Sequence, residues 1–539
     1  IRNRGIEGEA AIDRYLNGTL DDLYDPMLLK DMERAVSILC EAVDTGKKIR
    51  IVGDYDIDGV CSTYILLQAF ERLGSDVDFE IPDRIKDGYG INESIIEQAH
   101  ADGVEVILTC DNGISAFHQV ELAKKYGMTV VITDHHEVPL DGEKEKIPPA
   151  DAVIDPKQAD CPYPFPEICG AVVAYKLVQV LYARRGVPQM EWLDLLEFAA
   201  IATVGDVMKL QDENRILVKY GLKKMAQTKN LGLRRLAEKN NLDLGAITAY
   251  HIGFVIGPCL NAGGRLKTAK EALALLRAQS EEEAERLAEE LKELNDTRKD
   301  MTEQGTEAAK LQVESWYQKD KVLVVFLPEC HESLAGIIAG RLREYYQKPA
   351  IVLTRGEEAV KGSGRSIDEY HMFKKLTEVS DLLLKFGGHP LAAGLSLEEK
   401  NIDEFRRRLN ENAGLTEEDF KAKVWIDVPM PVGYVTERLV RELSCLEPFG
   451  QGNEKPLFAE KSLRIRASRV LGRNRNVVKM TLEETDGHAI EALYFGDGTA
   501  FEEERAGRRE IDVVYYPDIN EYNGRKTLQA VIRRYKFRG

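Results

Sequence analysis

The sequence predicts a multidomain α/β chain: a parallel-sheet domain, a helical connector, a smaller α/β domain and a C-terminal OB-fold barrel. Three observations carry this prediction. Apolar strand runs alternate with helical stretches between residues 47 and 154, the pattern of βαβ units with helices on both faces of a sheet. A long charged helical stretch over 271–315 precedes a second strand–helix–strand pattern. Beyond residue 425 the chain turns to short alternating runs separated by turn residues, as in a small barrel. The 539 residues suit roughly three to five domains of ~100–200 residues each. We place an N-terminal helical segment at 1–45, the parallel-sheet domain at 46–240, the connector at 241–318, the smaller α/β domain at 319–424 and the barrel at 425–539.

The elements follow in order. Met32, Ala35, Val36 and Leu39 form an apolar stripe at helical spacing. Strands are expected at 49–52, 77–81, 104–109, 129–133 and 152–154, with helices at 60–73, 93–101 and 117–126. Residues 168–240 read as mostly helical. In 271–315, Ala284, Leu287, Leu291 and Leu294 form a single apolar stripe, which suits a solvated connector helix. The second α/β pattern has strands at 321–327 and 350–353 around a helix at 334–346, and a helical return at 402–412. Barrel strands are expected at 463–470, 477–483, 490–495, 511–517 and 527–532.

Composition excludes some classes. Hydrophobic residues make up 44% of the chain, enough for ordinary cores and against wholesale disorder. No apolar run reaches the ~18 residues of a membrane span. Eight cysteines are scattered without a C-x-x-C pair, which reads as reduced, buried thiols in a cytoplasmic protein. Lys plus Arg total 73 against 91 Asp plus Glu, a formal net charge of −18. That acid excess stands as an objection to a nucleic-acid partner, because phosphate attracts Lys and Arg.

The chemistry-bearing residues cluster where predicted strands end. The first strand runs into Gly53-Asp54-Tyr55-Asp56-Ile57-Asp58-Gly59. Three carboxylates at spacing two share one side of an extended backbone, and a divalent cation relieves their repulsion. An EF-hand loop is rejected: its twelfth position, which needs Glu, is Ile65, and a strand rather than a helix precedes it. Asp111 follows the third strand and Asp134-His135-His136 the fourth; Asp206 closes the apolar run 198–204. Singly, such residues are often helix caps or core histidines. Together they form a carboxylate–imidazole set that suits Mn²⁺ or Mg²⁺ better than structural zinc. The inference is a two-metal site whose ions, ~3.5–4 Å apart, clamp the attacking and leaving oxygens of a phosphoryl displacement. The chain has no G-x-S-x-G and no G-x-x-x-x-G-K-[ST] motif to suggest serine hydrolysis or a P-loop.

These motifs resemble the DHH phosphoesterase superfamily, most closely its RecJ-type single-strand-specific 5′→3′ exonucleases. Five features carry the resemblance: residues 53–59, the Asp111-Asn112-Gly113 turn, Asp134-His135-His136, Val204-Gly205-Asp206, and Gly387-Gly388-His389-Pro390-Leu391-Ala392-Ala393-Gly394. The last is similar to the signature of the DHH-associated domain, and the match spans nearly the whole chain. The resemblance implies that Asp56 holds one ion and Asp58 the other, that Asp111 bridges them, and that His135 and Asp206 complete the second site. Asp54 and His136 then lie in or just outside the coordination sphere, with Asp134 a candidate to orient an imidazole ring. Arg84, Tyr89, Arg265, Ser363, Arg365 and His389 match places where the family binds substrate. The arginines sit in Gly-rich contexts and suit a 5′ phosphate. His331 and Arg341 belong to a further matching segment. Tyr494, Phe495, Tyr515, Tyr516 and Tyr522 are candidates for stacking on bases. A Met and a Lys stand in Val207-Met208-Lys209-Leu210, where the family pattern leads us to expect a proline.

The expected function is a metal-dependent exonuclease that releases 5′ mononucleotides from single-stranded DNA in repair and recombination. Mn²⁺ is the first-ranked cofactor and Mg²⁺ the second. A single-strand-binding protein and a helicase are the expected partners of a cytoplasmic monomer. The rivals are an oligoribonucleotide or cyclic-dinucleotide phosphodiesterase and a non-catalytic replication scaffold. The charge objection narrows on inspection. Residues 461–539 hold 16 Lys plus Arg against 12 Asp plus Glu, and 16 − 12 = +4. Residues 1–460 hold 73 − 16 = 57 against 91 − 12 = 79, or −22. The acid excess therefore lies outside the barrel.

Overall fold

The apolar run 49–52 forms β1 (Ile49–Val52), buried along its whole length, in the computed structural model. The structure describes residues 1–84, 88, 90–522 and 525–539. Then come β2 (Val77–Glu80), β3 (Val106–Cys110), β4 (Thr129–Thr133), a small β5–β6 hairpin (Leu140–Asp141 and Lys144–Glu145) and β7 (Ala152–Ile154). The main sheet has the order β2-β1-β3-β4-β7, and every neighbouring pair is parallel. Helix Ile57–Arg72 packs in the core of one face. Helices Glu93–Ala101 and Phe117–Lys125 pack in the core of the other. The strand order runs outward in both directions from the β1–β3 pair. That switch point, beyond the carboxyl ends of the strands, is where such sheets open a ligand crevice.

Helix Ile57–Arg72 starts three residues before the predicted helix. The cause is Asp56, whose Oδ1 accepts from the Asp58 and Gly59 amides at 2.9 and 3.1 Å and so caps the helix. Gly59 is pressed against the Asp54 backbone, where a Cβ would collide. The Asp54–Asp58 stretch is thus bent at once from strand into helix.

The helix Glu281–Gln312 joins the two α/β domains with one buried stripe and its other faces open to solvent. Leu287, Ala288 and Leu291 enter the core of the first domain and Ala309 that of the second, so its apolar stripe is buried at both ends. The second sheet consists of β8 (Leu323–Phe326), β9 (Ala350–Arg355), β10 (Val360–Arg365), β11 (Leu383–Gly388) and β12 (Ala392–Leu397), in the order β11-β12-β10-β9-β8. The glycine-rich run 362–365 is therefore the end of strand β10. Gly362 and Gly364 face Leu353, Leu395, Met372 and Ile351 so closely that a Cβ would crowd them; packing outweighs the low β-propensity of glycine. Likewise Gly263-Gly264-Arg265 lies in helix Gly257–Leu266, with Gly264 pressed on the Tyr55 carbonyl.

The C-terminal strands are β13 (Val428–Pro429), β14 (Phe458–Leu471), β15 (Val477–Glu483), β16 (Ala489–Phe495), β17 (Glu510–Tyr522) and β18 (Arg525–Arg538). Their order is β13-β14-β15-β16-β18-β17, and β17 also pairs with β14. That last pairing closes the barrel and removes its edges. Tyr515 is a core residue of this barrel, its hydroxyl bonded to the Met430 carbonyl at 2.9 Å. It is withdrawn as a stacking candidate. The side chain of Tyr522 lies outside the described residues.

One buried cation fastens the barrel's leading segment to the first domain. Arg215 donates to the carbonyls of Tyr15, Leu446 and Cys445 at 2.9, 2.7 and 3.0 Å, and its guanidinium stacks 4.0 Å from the Tyr15 ring. Tyr15 in turn donates to Asn453 at 2.7 Å. Removing Arg215 takes the guanidinium donors from the Tyr15 and Cys445 carbonyls, while the Leu446 carbonyl keeps Asn453 Nδ2 at 2.8 Å. Arg215→Ala is expected to cost about 2–4 kcal/mol, read as a lower unfolding midpoint and as protease cleavage between barrel and body. An unchanged midpoint contradicts that role.

Candidate metal centre and phosphate-binding arginines

The ends of β1, β3 and β4 and the end of helix Leu196–Gly205 bring the predicted acids and imidazoles to one place. Three sets of ligand atoms lie within 4.8 Å of one another: Asp54, Asp56 and Asp111; Asp58, His135 and Asp206; and Asp111, His135 and His136. Asp111 and His135 each belong to two sets. The His135 Nε2 atom is 3.1 Å from Asp111 Oδ1, 3.4 Å from Asp58 Oδ2 and 3.9 Å from Asp206 Oδ2. Asp54, Asp58, Asp111 and His135 are buried, whereas His136 and Asp206 are only partly covered.

The surroundings hold this unfavourable set in place. Asp58 Oδ2 and Oδ1 accept from the Gly170 and Ala171 amides, both at 2.7 Å. These amides open helix Gly170–Arg184, so Asp58 caps that helix from another segment and meets its positive end. Gly170 lies against Asp111, where a Cβ would sit 2.7 Å from the Asp111 Cβ. Asn112 ties the strand ends together: its Nδ2 donates to the Val52 and Cys110 carbonyls at 3.0 and 2.9 Å, and its Oδ1 accepts from the Ile91 amide at 3.2 Å. Asp54 Oδ1 accepts from the Gly90 amide at 3.2 Å. Asp111 itself has φ 60°, a left-handed backbone that costs a non-glycine residue strain.

The electrostatics follow from burial of like charge. Burial and then Asp56 push Asp58 up to about 6. Burial raises Asp111 well above the carboxylate range, helped by Asp58, Asp56, Asp54 and Asp206. Burial likewise lifts Asp54, with Asp56 next, and Asp206, with Asp58 and Asp56 next. Burial and then the charge of His136 drive His135 down to about 3, leaving the neutral imidazole that metal ligation requires. Burial opposes a charge on His136, but Asp134, Asp206 and Asp58 hold it at about 9. Carboxylates that repel, next to a neutral imidazole, fit a pair of hard divalent ions.

Asp134 has a different task from the ligands. Burial works against its charge, but the His136 bond, both imidazoles and the Ile114 amide keep its carboxyl below the usual range. Its Oδ1 accepts from His136 Nδ1 at 2.7 Å and from the His135 and His136 amides at 2.7 and 3.2 Å; its Oδ2 accepts from the Ile114 amide at 2.9 Å. The ring it orients is that of His136.

The arginines gather nearby. Arg84 stacks 4.8 Å from the Tyr55 ring. Arg265 Nη1 donates to the Ser333 carbonyl at 2.9 Å. Burial pushes Arg265 down to about 10, followed by the charges of Arg84 and Arg298, with Arg365 also contributing. Burial, then Arg343 and Arg84, lowers Arg365, which donates to the Gly364 carbonyl at 2.8 Å and to Ser363 Oγ at 3.4 Å. Gly336 opens space for both: its Cβ would sit 2.9 Å from Arg365 Nη2 and from Ser363 Oγ. His331 bonds Ser333 at 2.8 Å, beside the Arg265 contact, whereas Arg341 is exposed. His389 is exposed in the β11–β12 turn, at the same sheet end as Arg365. Tyr89 lies outside the described residues. Sequence reading missed Arg298, whose Nε and Nη2 donate to the buried Asn295 at 3.1 and 2.9 Å. Its signal was a polar pair continuing the apolar stripe of the long helix. It also missed Gly170 and Ala171, which no local pattern marks.

In the barrel, Phe495 (61% exposed) and Trp425 (89% exposed) border a groove of about 1140 Å³ with Arg533, Arg534 and Lys455. Tyr516 is half-buried between Lys455 and Arg533, 4.5 and 5.5 Å from its ring. Tyr494 packs on the barrel core.

Three family models match the chain: the DHH family N-terminal domain over residues 48–203, the DHHA1 domain over 319–414 and the RecJ OB domain over 426–534. The chain is similar to the single-stranded-DNA-specific exonuclease RecJ of Haemophilus influenzae, with 33% identity over 98% of this chain and 94% of that one. Its similarity to the Bacillus subtilis protein of that name is 37% identity over 98% of this chain, which spans 66% of that relative's length. The crystal structure of RecJ in complex with Mn²⁺ from Thermus thermophilus superposes with a TM-score of 0.84 at 29% identity, covering 99% of this chain and 74% of that one. No helix among the described residues is long and apolar enough to cross a membrane.

The raised carboxyls fix the pH response of the metal-free protein. A carboxyl whose folded pKa lies above its unfolded value of about 4 stabilises fully below that value and loses the contribution as pH rises through the folded pKa. For Asp58 the loss runs from about 4 to about 6, and for Asp54, Asp111 and Asp206 the direction is the same. The metal-free melting temperature should fall above pH ~6.5, where His135 is neutral in both states and no longer opposes the loss, and Mn²⁺ should raise it more at pH 8 than at pH 6. Asp111→Asn removes the central charge and should raise the metal-free value by ~2–4 °C while shrinking the Mn²⁺ effect. Calorimetric scans that show a metal-free maximum at pH 8 contradict the assignment.

Proposed function

Because the chain belongs to the RecJ family of DHH phosphoesterases, we propose that it is a metal-dependent exonuclease that hydrolyses single-stranded DNA from the 5′ end to 5′ mononucleotides. The observation that carries this reading is the carboxylate–imidazole centre beside a cluster of partly desolvated arginines. The first suits a phosphodiester under attack, and the second suits the terminal phosphate that marks the end.

In this reading Asp54, Asp56 and Asp111 hold one ion and Asp58, His135 and Asp206 the other, with Asp111 shared. Two divalent ions held there, Mn²⁺ first and Mg²⁺ second, would supply Lewis acidity to the scissile phosphate and would lower the pKa of a water molecule. His136, charged and held by Asp134, presents an N–H donor to a non-bridging phosphate oxygen. Arg84, Arg265, Arg365 and Ser363 take the 5′ phosphate, with Tyr89 and His389 as further substrate-binding residues. Burial weakens hydration of Arg265 and Arg365, so a phosphate there gains more from each charged bond than it would in water. The barrel groove, with Trp425, Phe495, Arg533 and Arg534, tracks the rest of the strand by stacking and charge. The proposal extends to a cytoplasmic monomer that acts in repair and recombination with a single-strand-binding protein and a helicase.

Asp111→Ala should abolish cleavage of 5′-labelled single strands, by ~10³-fold or more, and leave their binding within about threefold. Retained cleavage removes Asp111 from the centre. Arg365→Ala should reduce the preference for 5′-phosphoryl over 5′-hydroxyl ends by about tenfold, the worth of one charge-assisted bond. Equal losses on both ends would assign Arg365 to general strand affinity instead.

A further inference from the structure

Helix Leu196–Gly205 ends at the metal centre, and its last turn is firmly held. Gly205 is pressed on Ile57, where a Cβ would sit 2.7 Å from Cγ2, so the helix end is fixed against the Asp56–Asp58 bend. The Val207 amide donates to the Val204 carbonyl at 3.2 Å, and the Met208 amide to the Thr203 carbonyl at 3.0 Å. These bonds close the helix with Val207 in left-handed backbone, φ 58°, a position that glycine ordinarily fills.

Local physics disfavours valine there twice. Branching at Cβ makes left-handed backbone costly, and among the described residues Val207 is the one β-branched residue with such a φ. Burial does not offset the strain. Val207 is 66% exposed, and while Val204 and Met208 pack on the core, Val207 joins no core cluster among the described residues. A strained apolar side chain that gains nothing from its own fold calls for a partner outside it.

The surroundings identify that partner. Asp56, His136 and Asp206 are only partly covered, whereas Asp54, Asp58, Asp111 and His135 are buried, so the centre opens between Asp56 and Asp206. The arginines lie at the Asp56 end: Arg84 stacks on the Tyr55 ring, and Gly264, beside Arg265, is pressed on the Tyr55 carbonyl. Val207 lies at the Asp206 end. Just beyond it, the Leu210 amide donates to the Gln451 carbonyl at 2.7 Å, in the segment that leads into the barrel. A strand with its 5′ phosphate on the arginines and its later nucleotides on the barrel therefore passes Val207 directly after the scissile phosphate. A stiff aliphatic branch suits the apolar face of a base and offers nothing to a phosphate oxygen.

We propose that Val207 is a substrate-positioning contact that packs against the base immediately 3′ of the scissile phosphate and so steadies that phosphate over the metal centre. The proposal rests on the exonuclease reading.

The test is single-turnover release of the first mononucleotide, with Mn²⁺, from a 5′-phosphorylated strand and from the same strand made abasic at its second nucleotide. Val207→Gly should slow release by about fivefold on the ordinary strand, the scale of one part-buried aliphatic contact. On the abasic strand it should cost less than about twofold, because the partner is already gone. Val207→Ile keeps the branch and should stay within about twofold of the wild type on both strands. Val207→Gly should also raise the melting temperature by ~1–2 °C, since glycine relieves the strain; a slower enzyme that is more stable is not the mark of a structural role. The contact is overturned if Val207→Gly leaves the ordinary strand unaffected, slows both strands equally or melts lower, or if Val207→Ile falls as far as Val207→Gly. A wild-type chain that releases no mononucleotide from either strand overturns the exonuclease reading and the contact with it, whereas the other outcomes leave that reading intact.

Discussion

Five carboxylates meet where strands β1 and β3 and the helix Leu196–Gly205 end, and their mutual repulsion is the constraint on which the rest of the structure depends. Asp111 has Asp54, Asp56, Asp58 and Asp206 as electrostatic neighbours. Left to themselves, such groups would separate into water. The fold prevents this by fixing their backbones. Asp56 is pinned as a helix cap, Asp58 is held by two helix-terminal amides, and Asn112 clips the ends of β1 and β3 to the segment at Ile91. Gly59 and Gly170 permit approaches that any side chain would block. The centre is preorganised at the expense of metal-free stability, a common exchange at functional sites.

The positive charge is organised in the same way, by position and not by amount. The chain as a whole carries −18, yet Arg265 shares one cluster with Arg84, Arg298 and Arg365, and burial followed by their charges lowers it to about 10. They come from the first domain, the connecting helices and β10 of the second sheet. The long helix Glu281–Gln312, buried in both cores, keeps these sources in register. A phosphate placed among them would relieve repulsion as well as gain bonds. A negative chain with concentrated cationic sites is therefore a coherent design for a nucleic-acid substrate, and affinity should depend strongly on salt.

Much of this was legible in the sequence. Strand β1, helix Glu93–Ala101 and strand β4 were predicted at their observed positions because apolar periodicity and turn residues agree there. The clustering of Asp54, Asp56, Asp58, Asp111, His135 and Asp206 followed from the βα pattern, since consecutive turns of a parallel sheet share one edge. What stayed hidden depends on contacts distant in sequence. The Asp58–Gly170 bond spans 112 residues. Glycine at 362 and 364 has low β-propensity, and only the facing Leu353 and Met372 explain the strand. Tyr515 pointed inward because strand alternation placed it with Ile511 and Val513 in the barrel core. Asp134 orients His136, a choice between neighbouring rings that spacing alone does not make.

The central claim is that the metal centre and the arginine cluster act together on a 5′ end. It is tested most directly by Mn²⁺-dependent digestion of long single strands labelled at either end, each with a 5′ phosphate. The account predicts immediate release of 5′-labelled mononucleotide, late release of the 3′ label, and no digestion of blunt duplex. Release of the 3′ label first, or internal cuts that produce no mononucleotide, would contradict it.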